Sequence, residues 1–131
     1  MGNDRERSTH RLVRIKVNKF KPTAENTTGR VARKIAEIIE DRGWIKDAFE
    51  TPDGVCIMGG LNRAVSPLPA YQVLQIRRHF EETFAAWMQQ NHPNPPHTLC
   101  YPPYWNDSVF TSKEETLAWL HKFADALDPQ R

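Results

Sequence analysis

Residues 30–42, RVARKIAEIIEDR, followed by Gly43, decide the fold of this chain. Thr27 or Thr28 is predicted to cap the start of a helix there, because a hydroxyl accepts a hydrogen bond from a free backbone N–H. Gly43 suits a left-handed C-cap, since glycine adopts positive φ without strain. The apolar residues recur at helical spacing, as expected for a helix packed on a core: Val31, Ala32, Ile35, Ala36, Ile38 and Ile39.

The middle of the chain predicts a turn and two further helices. Pro52-Asp53-Gly54 has turn chemistry, because proline presets φ and glycine takes positive φ. The residues from Val55 to Val65 predict a short helix, and a β-hairpin through the turn is the alternative. Pro69 suits the first turn of a long helix over residues 69–90. Its predicted apolar stripe consists of Tyr71, Val73, Leu74, Phe80, Phe84, Trp87 and Met88.

The last third of the chain predicts an irregular loop and a final helix. Five prolines between residues 91 and 105 exclude a continuous helix and favour an ordered loop with packed aromatic residues. Ser112 and Glu115 have the spacing of a capping box at the start of a helix that Asp128-Pro129 ends.

The predicted fold is therefore mostly α, a compact bundle of about four helices with an irregular proline-rich loop. Residues 1–11 are predicted to form a disordered basic tail, and residues 12–128 a single globular α domain. A small N-terminal strand is an option over residues 12–20, because apolar and polar residues alternate there.

The charges are divided unevenly along the chain. Residues 1–34 hold ten basic and three acidic side chains, a formal charge of +7, whereas residues 35–131 carry eight basic and 13 acidic groups, or −5. A basic arm on an acidic body attracts phosphates, an acidic partner or a second copy of the body, and a solvated tail is the alternative. The predicted contact residues of this arm are Arg11, Arg14, Lys16, Lys19 and Lys21.

Cys56 is the candidate nucleophile. It follows an Asp-Gly turn at the predicted start of a helix, where a thiol pKa is lowered. Asn106 or Asp107 can orient the histidine base that such a nucleophile needs. The alternative places Cys56 as a small buried residue under Trp44 or Trp105. The histidines available as the base are His79, His92, His97 and His121.

Trp105-Asn106-Asp107 is predicted to fix the entry of the chain into the last helix, because Asn and Asp side chains bind nearby backbone amides. The functional alternative is a polar pocket rimmed by tryptophan, for which Trp44 and Trp105 are the candidate binding residues.

His92, His97 and Cys100 provide three possible metal ligands within nine residues. A structural zinc site needs four ligands, and Cys56 would complete the set only if the fold brought it close. The two cysteines do not make a disulfide framework. We therefore predict no bound metal and no cofactor.

Four pieces of the sequence recur in one family pattern: IIEDRGW (38–44), PDGVC (52–56), GGLNRA (59–64), and WND (105–107) before TSKEETL (111–117). With these pieces the chain resembles a small domain of unknown function found in actinobacteria and their bacteriophages, over residues 30–65 and 104–127. The resemblance implies a helical fold and that setting, but no reaction. Gly60 stands where the pattern has alanine, and the linker over residues 91–104 is longer than usual.

Taken together, these features predict a non-enzymatic phage or actinobacterial accessory protein. It is expected to bind a protein partner through the basic arm, in the cytoplasm of the bacterium or host. A hydrolase or transferase using Cys56 is the first alternative, and weak, non-specific DNA binding by the arm is the second. The sequence has no run of about 18 apolar residues and no secretory signal, so no membrane association is expected.

Overall fold

The computed structural model describes residues 23–129. Over this range the predicted mostly helical fold is confirmed, with an additional single-turn helix and a two-stranded hairpin. The predicted tail, the optional strand and the basic contact residues of the arm all lie outside the described residues. The elements in chain order are α1 (Ala24–Arg42), β1 (Glu50–Thr51), β2 (Gly54–Val55), α2 (Ile57–Val65), α3 (Ala70–Asn91), α4 (Pro102–Tyr104), a π-helical turn (Trp105–Val109) that continues α4, and α5 (Lys113–Leu127).

Helix α1 begins earlier than its sequence predicted. Thr23 is the N-cap, and its hydroxyl accepts from the Asn26 N–H at 3.0 Å. The prediction of Thr27 or Thr28 as the cap is wrong because this earlier threonine already satisfies the first turn. Gly43 ends the helix with a positive φ of 101°, although its ψ of 165° is extended rather than left-handed helical.

Both alternatives for the segment after residue 50 occur side by side. Glu50 pairs with Val55 in a short antiparallel hairpin around the Pro52-Asp53 turn. Cys56 then caps α2, which runs to Val65. The hairpin is short enough to end before the helix begins, so the two interpretations do not compete.

The core lies where α1, α2, α3 and α5 meet. Phe84 of α3 packs edge-on against Phe123 of α5, with ring centroids 5.1 Å apart. The predicted stripe of α3 holds for its second half, but Tyr71 and Leu74 are 66% and 72% exposed. That part of the prediction is wrong: the fully buried residues of α3 begin at Phe80, and in its first half Val73 and Ile76 are partly buried against the core whereas Tyr71 and Leu74 lie outside it.

The proline-rich loop ends in helix rather than continuing as a coil. Pro102 starts α4, where its missing N–H costs nothing. Trp105 is buried as expected, but Tyr101 and Tyr104 are nearly half exposed, so the predicted packing of the loop's aromatic residues is only partly correct.

Helix α5 has the predicted capping box with one change. The Ser112 hydroxyl accepts from the Glu115 N–H at 3.0 Å, while the Glu115 carboxylate accepts from the Thr111 N–H at 2.8 Å. The helix ends before Asp128, which forms an ion pair with Arg33 of α1 at 2.7 Å. Among residues 23–129, no helix is both long and apolar enough to cross a bilayer.

Candidate functional site

Asn106 lies at the centre of a buried polar cluster on the π-helical turn. Its Oδ1 accepts from the Trp44 indole N–H at 2.8 Å and from the Ile57 N–H at 3.1 Å. Its Nδ2 donates to the Ile45 carbonyl at 3.0 Å and to Asp107 Oδ1 at 2.8 Å. The side chain is almost fully buried and each of its polar atoms makes two hydrogen bonds, so no capacity is left for a ligand.

Asp107 extends the cluster to a strained loop. Its Oδ1 also accepts from the Asp47 N–H at 3.0 Å, and Asp47 has a φ of 65°. Positive φ is uncommon outside glycine, and the hydrogen bond holds this conformation. We call the set of Trp44, Asn106 and Asp107, with the backbone groups they bind, the Asn106 cluster.

The side chains of Asn106 and Asp107 bind a different segment from the one that the sequence predicted. Asn106 and Asp107 fasten the distant segment from Trp44 to Ile57, whereas Ser112 caps α5. The prediction that Asn106 and Asp107 fix the entry of the chain into α5 is therefore wrong, because the groups that they bind in the segment from Trp44 to Ile57 are distant in sequence. The extra residue of a π-helical turn re-aims side chains, a geometry found frequently at functional sites.

Cys56 is a structural cap rather than an activated thiol. Its Sγ accepts from the Gly59 N–H at 3.3 Å, and the residue is 6% exposed. Burial raises the pKa of the Cys56 thiol, and the negative charge of Asp107 raises it further. The predicted lowering of this pKa is wrong because desolvation outweighs the amide hydrogen bonds at the helix N-terminus.

None of the four candidate histidines is a hydrogen-bond partner of Cys56 in the part of the chain that the structure describes. His79 Nδ1 lies 2.5 Å from the Thr28 hydroxyl. The His92 ring lies 5.1 Å from that of Trp105, and both His97 and His121 are exposed. Within residues 23–129, the structure therefore does not assemble a cysteine-histidine pair at Cys56.

The candidate metal ligands His92, His97 and Cys100 are not brought together either. His92 Nδ1 accepts from the Asn94 N–H, and the Cys100 thiol donates to the Thr98 carbonyl. No group of three or more His, Cys, Asp or Glu side chains within residues 23–129 is arranged to hold a metal ion.

The two candidate tryptophans have different surroundings. Trp105 is fully buried and its indole N–H donates to the Cys100 carbonyl at 3.1 Å, so its ring offers no surface to a partner. Trp44 is half-buried, and the Lys46 ammonium lies 5.6 Å from its ring centroid.

An exposed apolar surface lies next to the Asn106 cluster. Two open depressions of about 400 and 510 Å³ share Pro103 as a wall. We call the two depressions together the Pro103 groove. The first is lined by Asp47, Ala48, Phe49, Cys56, Met58, Pro103 and Asp107, and the second by Leu74, Arg77, Arg78, Glu81, Glu82, Tyr101 and Pro103.

The sequence did not predict this groove. Phe49, Leu74 and Tyr101 are 60%, 72% and 48% exposed. The sequence predicted Leu74 for the apolar stripe of α3 and Tyr101 for a packed loop, and it assigned no position to Phe49. The available signal was the width of the apolar stripe on α3, which is too broad for every apolar residue in the first half of the helix to reach the core.

The comparisons with known proteins identify a family. A family model described as a family of unknown function (DUF6197) matches residues 23–126. No curated protein and no solved structure matches the chain. The chain belongs to the DUF6197 family, which confirms the resemblance to a domain family of unknown function.

Proposed function

We propose that this member of the DUF6197 family is a non-enzymatic module that binds a partner protein through the Pro103 groove. The observation that carries the proposal is the exposure of Phe49, Leu74 and Tyr101 around one shared proline. Exposed apolar residues that gather in one patch mark interaction sites, and a protein interface combines such a centre with a charged rim.

The arrangement of the chemically capable residues supports binding over catalysis. Asn106 uses its carboxamide to hold other segments, and Cys56 is a buried cap with a raised thiol pKa. A cysteine nucleophile needs a lowered pKa and an adjacent base.

A matched set of surface variants tests the groove. The full-length chain and its Leu74→Gln, Tyr101→Ser and Leu99→Gln variants are used to capture partners from the producing cells, with quantification by mass spectrometry. Leu99 is half exposed but does not line the groove, so it is the control. We expect one partner to be retained by the wild type and by Leu99→Gln, and lost from the two groove variants. Equal capture by all four chains would contradict the proposal.

Thiol labelling tests the enzymatic alternative. We expect Cys56 to react with a maleimide at neutral pH about tenfold or more slowly than Cys100, because the buried thiol must first become exposed. Both thiols should react equally after denaturation. Rapid, selective labelling of native Cys56 would support the cysteine-dependent enzyme instead.

The basic arm favours a second contact. Residues 1–21 hold seven basic and two acidic side chains, and this formal charge of +5 supports weak, salt-dependent binding to nucleic acid. Fluorescence titrations at two salt concentrations should show that this affinity falls with salt and disappears when residues 1–21 are deleted. Tight binding that survives the deletion would place the site elsewhere. An accessory role in an actinobacterium or its phage, in the cytoplasm, completes the proposal.

A further inference from the structure

We infer that the occupant of the Pro103 groove is a basic segment of a partner protein, with an arginine or lysine side chain in the depression beside Cys56. This inference rests on the proposed function and adds the chemistry of the partner. The cation of that side chain would lie near Asp47 and Asp107, and apolar neighbours in the segment would lie against Leu74 and Tyr101.

The charge distribution along the groove favours a basic occupant. Among residues 23–129, the depression beside Cys56 is lined by two carboxylates, those of Asp47 and Asp107, and by no basic side chain. The other depression has two arginines and two glutamates, so its charges balance. Complementary charge steers association and discriminates between partners, and an acidic segment would meet net repulsion here.

The walls of the depression suit a long cationic side chain rather than a bare cation. Phe49, Met58 and Pro103 supply apolar contacts around the acidic groups. Arginine and lysine bury their aliphatic stems along apolar surface and keep the charged head at a polar edge. The exposed ring of Phe49 can also attract the cation through its face.

The Asp107 carboxylate and the Asp47 backbone are held in place before any partner arrives. Asp107 Oδ1 accepts hydrogen bonds from Asn106 Nδ2 and from the Asp47 N–H, which ties the carboxylate of Asp107 and the backbone of Asp47 to the Asn106 cluster. The charge of Asp107 also raises the pKa of Cys56 at the floor of the depression, so its field reaches that point. Preorganised groups lose less freedom on binding, which favours affinity.

The test compares two defined peptides on the full-length chain. One is an acetylated and amidated hexapeptide of alternating leucine and arginine, and the other carries neutral citrulline in place of each arginine. Titration calorimetry at low salt should show about fivefold tighter binding of the arginine peptide, as expected for exposed charge pairs. Raising the salt concentration should reduce the difference.

Charge variants decide whether the attraction is local. Asp47→Asn with Asp107→Asn should abolish the preference, and asparagine keeps the hydrogen-bonding oxygen and tolerates positive φ. Glu37→Gln with Asp41→Asn is the control, because it removes the same charge from a different depression, beside His121. The control should keep the preference. If the first double variant does not fold, Asp47→Asn alone should reduce the preference.

Each other outcome would overturn the inference. If both double variants lost the preference for the arginine peptide equally, the peptide would be attracted by the net charge of the protein and not by Asp47 and Asp107. Much tighter peptide binding after deletion of residues 1–21 would make the chain's own arm the occupant. No preference in the wild type, together with a partner that Leu74→Gln loses, would refute the basic occupant and leave the proposed function standing. No preference in the wild type, together with a Leu74→Gln variant that retains every partner, would refute both the basic occupant and the proposed function.

Discussion

The Asn106 cluster and the Pro103 groove are neighbours that reverse the usual distribution of polar and apolar groups. In the cluster, a polar side chain is buried with every hydrogen bond made. In the groove, large apolar side chains face solvent. Asp107 belongs to both. A fully satisfied buried network specifies structure, whereas exposed apolar surface contributes nothing to folding. The difference supports the proposal that the cluster belongs to the scaffold and the groove to recognition.

The largest loss of stability is expected when Asn106, the central residue of the Asn106 cluster, is replaced. Asn106→Ala removes the partners of the Trp44 indole N–H, the Ile57 N–H and the Ile45 carbonyl. Unsatisfied buried groups cost about 1–3 kcal/mol each, so the free energy of unfolding should fall by about 3–5 kcal/mol. Thermal unfolding followed by circular dichroism should show a loss of more than about 10 °C. A change below about 3 °C would mean that the cluster is not a structural element.

Two adjacent glycines of α2, Gly59 and Gly60, test how closely this helix approaches the backbone of Phe49. A Cβ on Gly59 would lie 1.9 Å from the Phe49 carbonyl oxygen, while one on Gly60 would lie 2.9 Å from Ile35 Cγ2. Gly59→Ala should therefore cost about 3 kcal/mol, because the backbone that carries Phe49 must move. Gly60→Ala should cost clearly less, because its contact is longer and is made with a side-chain methyl group rather than with backbone. The gain in helix propensity of about 1 kcal/mol is common to both positions. Denaturant unfolding of both variants measures this order, and the reverse order would contradict the close approach of α2 to Phe49.

Asp107→Ala is expected to have an intermediate effect. It removes the acceptor of the Asp47 N–H and one of the two partners of Asn106 Nδ2. Because Asp107 is half-buried, the cost should be about 1–2 kcal/mol, or roughly 3–10 °C in melting temperature. A melting temperature that is unchanged or higher, together with lost partner binding, would mean that Asp107 serves the recognition surface alone and not the scaffold.

Local chemistry explains which parts of the fold were predictable from the sequence. The Ser112 cap, the end of α1 at Gly43 and the start of α3 after Pro69 each depend on residues within a few positions of each other. The true start of α1 was missed because Thr23 and Thr27 carry the same capping chemistry, and local sequence does not rank them.

The site was less predictable because its partners are distant in sequence. Asn106 binds groups 49 to 62 residues away, which no spacing rule can pair with it. The Pro103 groove was missed for a different reason. Leu74 continues the apolar stripe of α3, and only the arrangement of the other helices shows that the core does not reach it.

The smallest effect is expected in the groove, and it distinguishes the two regions most directly. Leu74 is largely solvated and Tyr101 is about half exposed, so Leu74→Gln should change the free energy of unfolding by less than about 0.5 kcal/mol and Tyr101→Ser by no more than about 1 kcal/mol. Phe84→Ala in the core, at zero exposure, provides the contrast with an expected loss of about 3–5 kcal/mol. Denaturant unfolding of the three variants under one buffer condition measures both. If Leu74→Gln instead cost 2 kcal/mol or more, the side chain would be covered within the full-length protein, and the apolar surface would belong to the fold rather than to a partner. If Leu74→Gln left the free energy of unfolding nearly unchanged and abolished partner binding, the exposed leucine would serve recognition rather than folding.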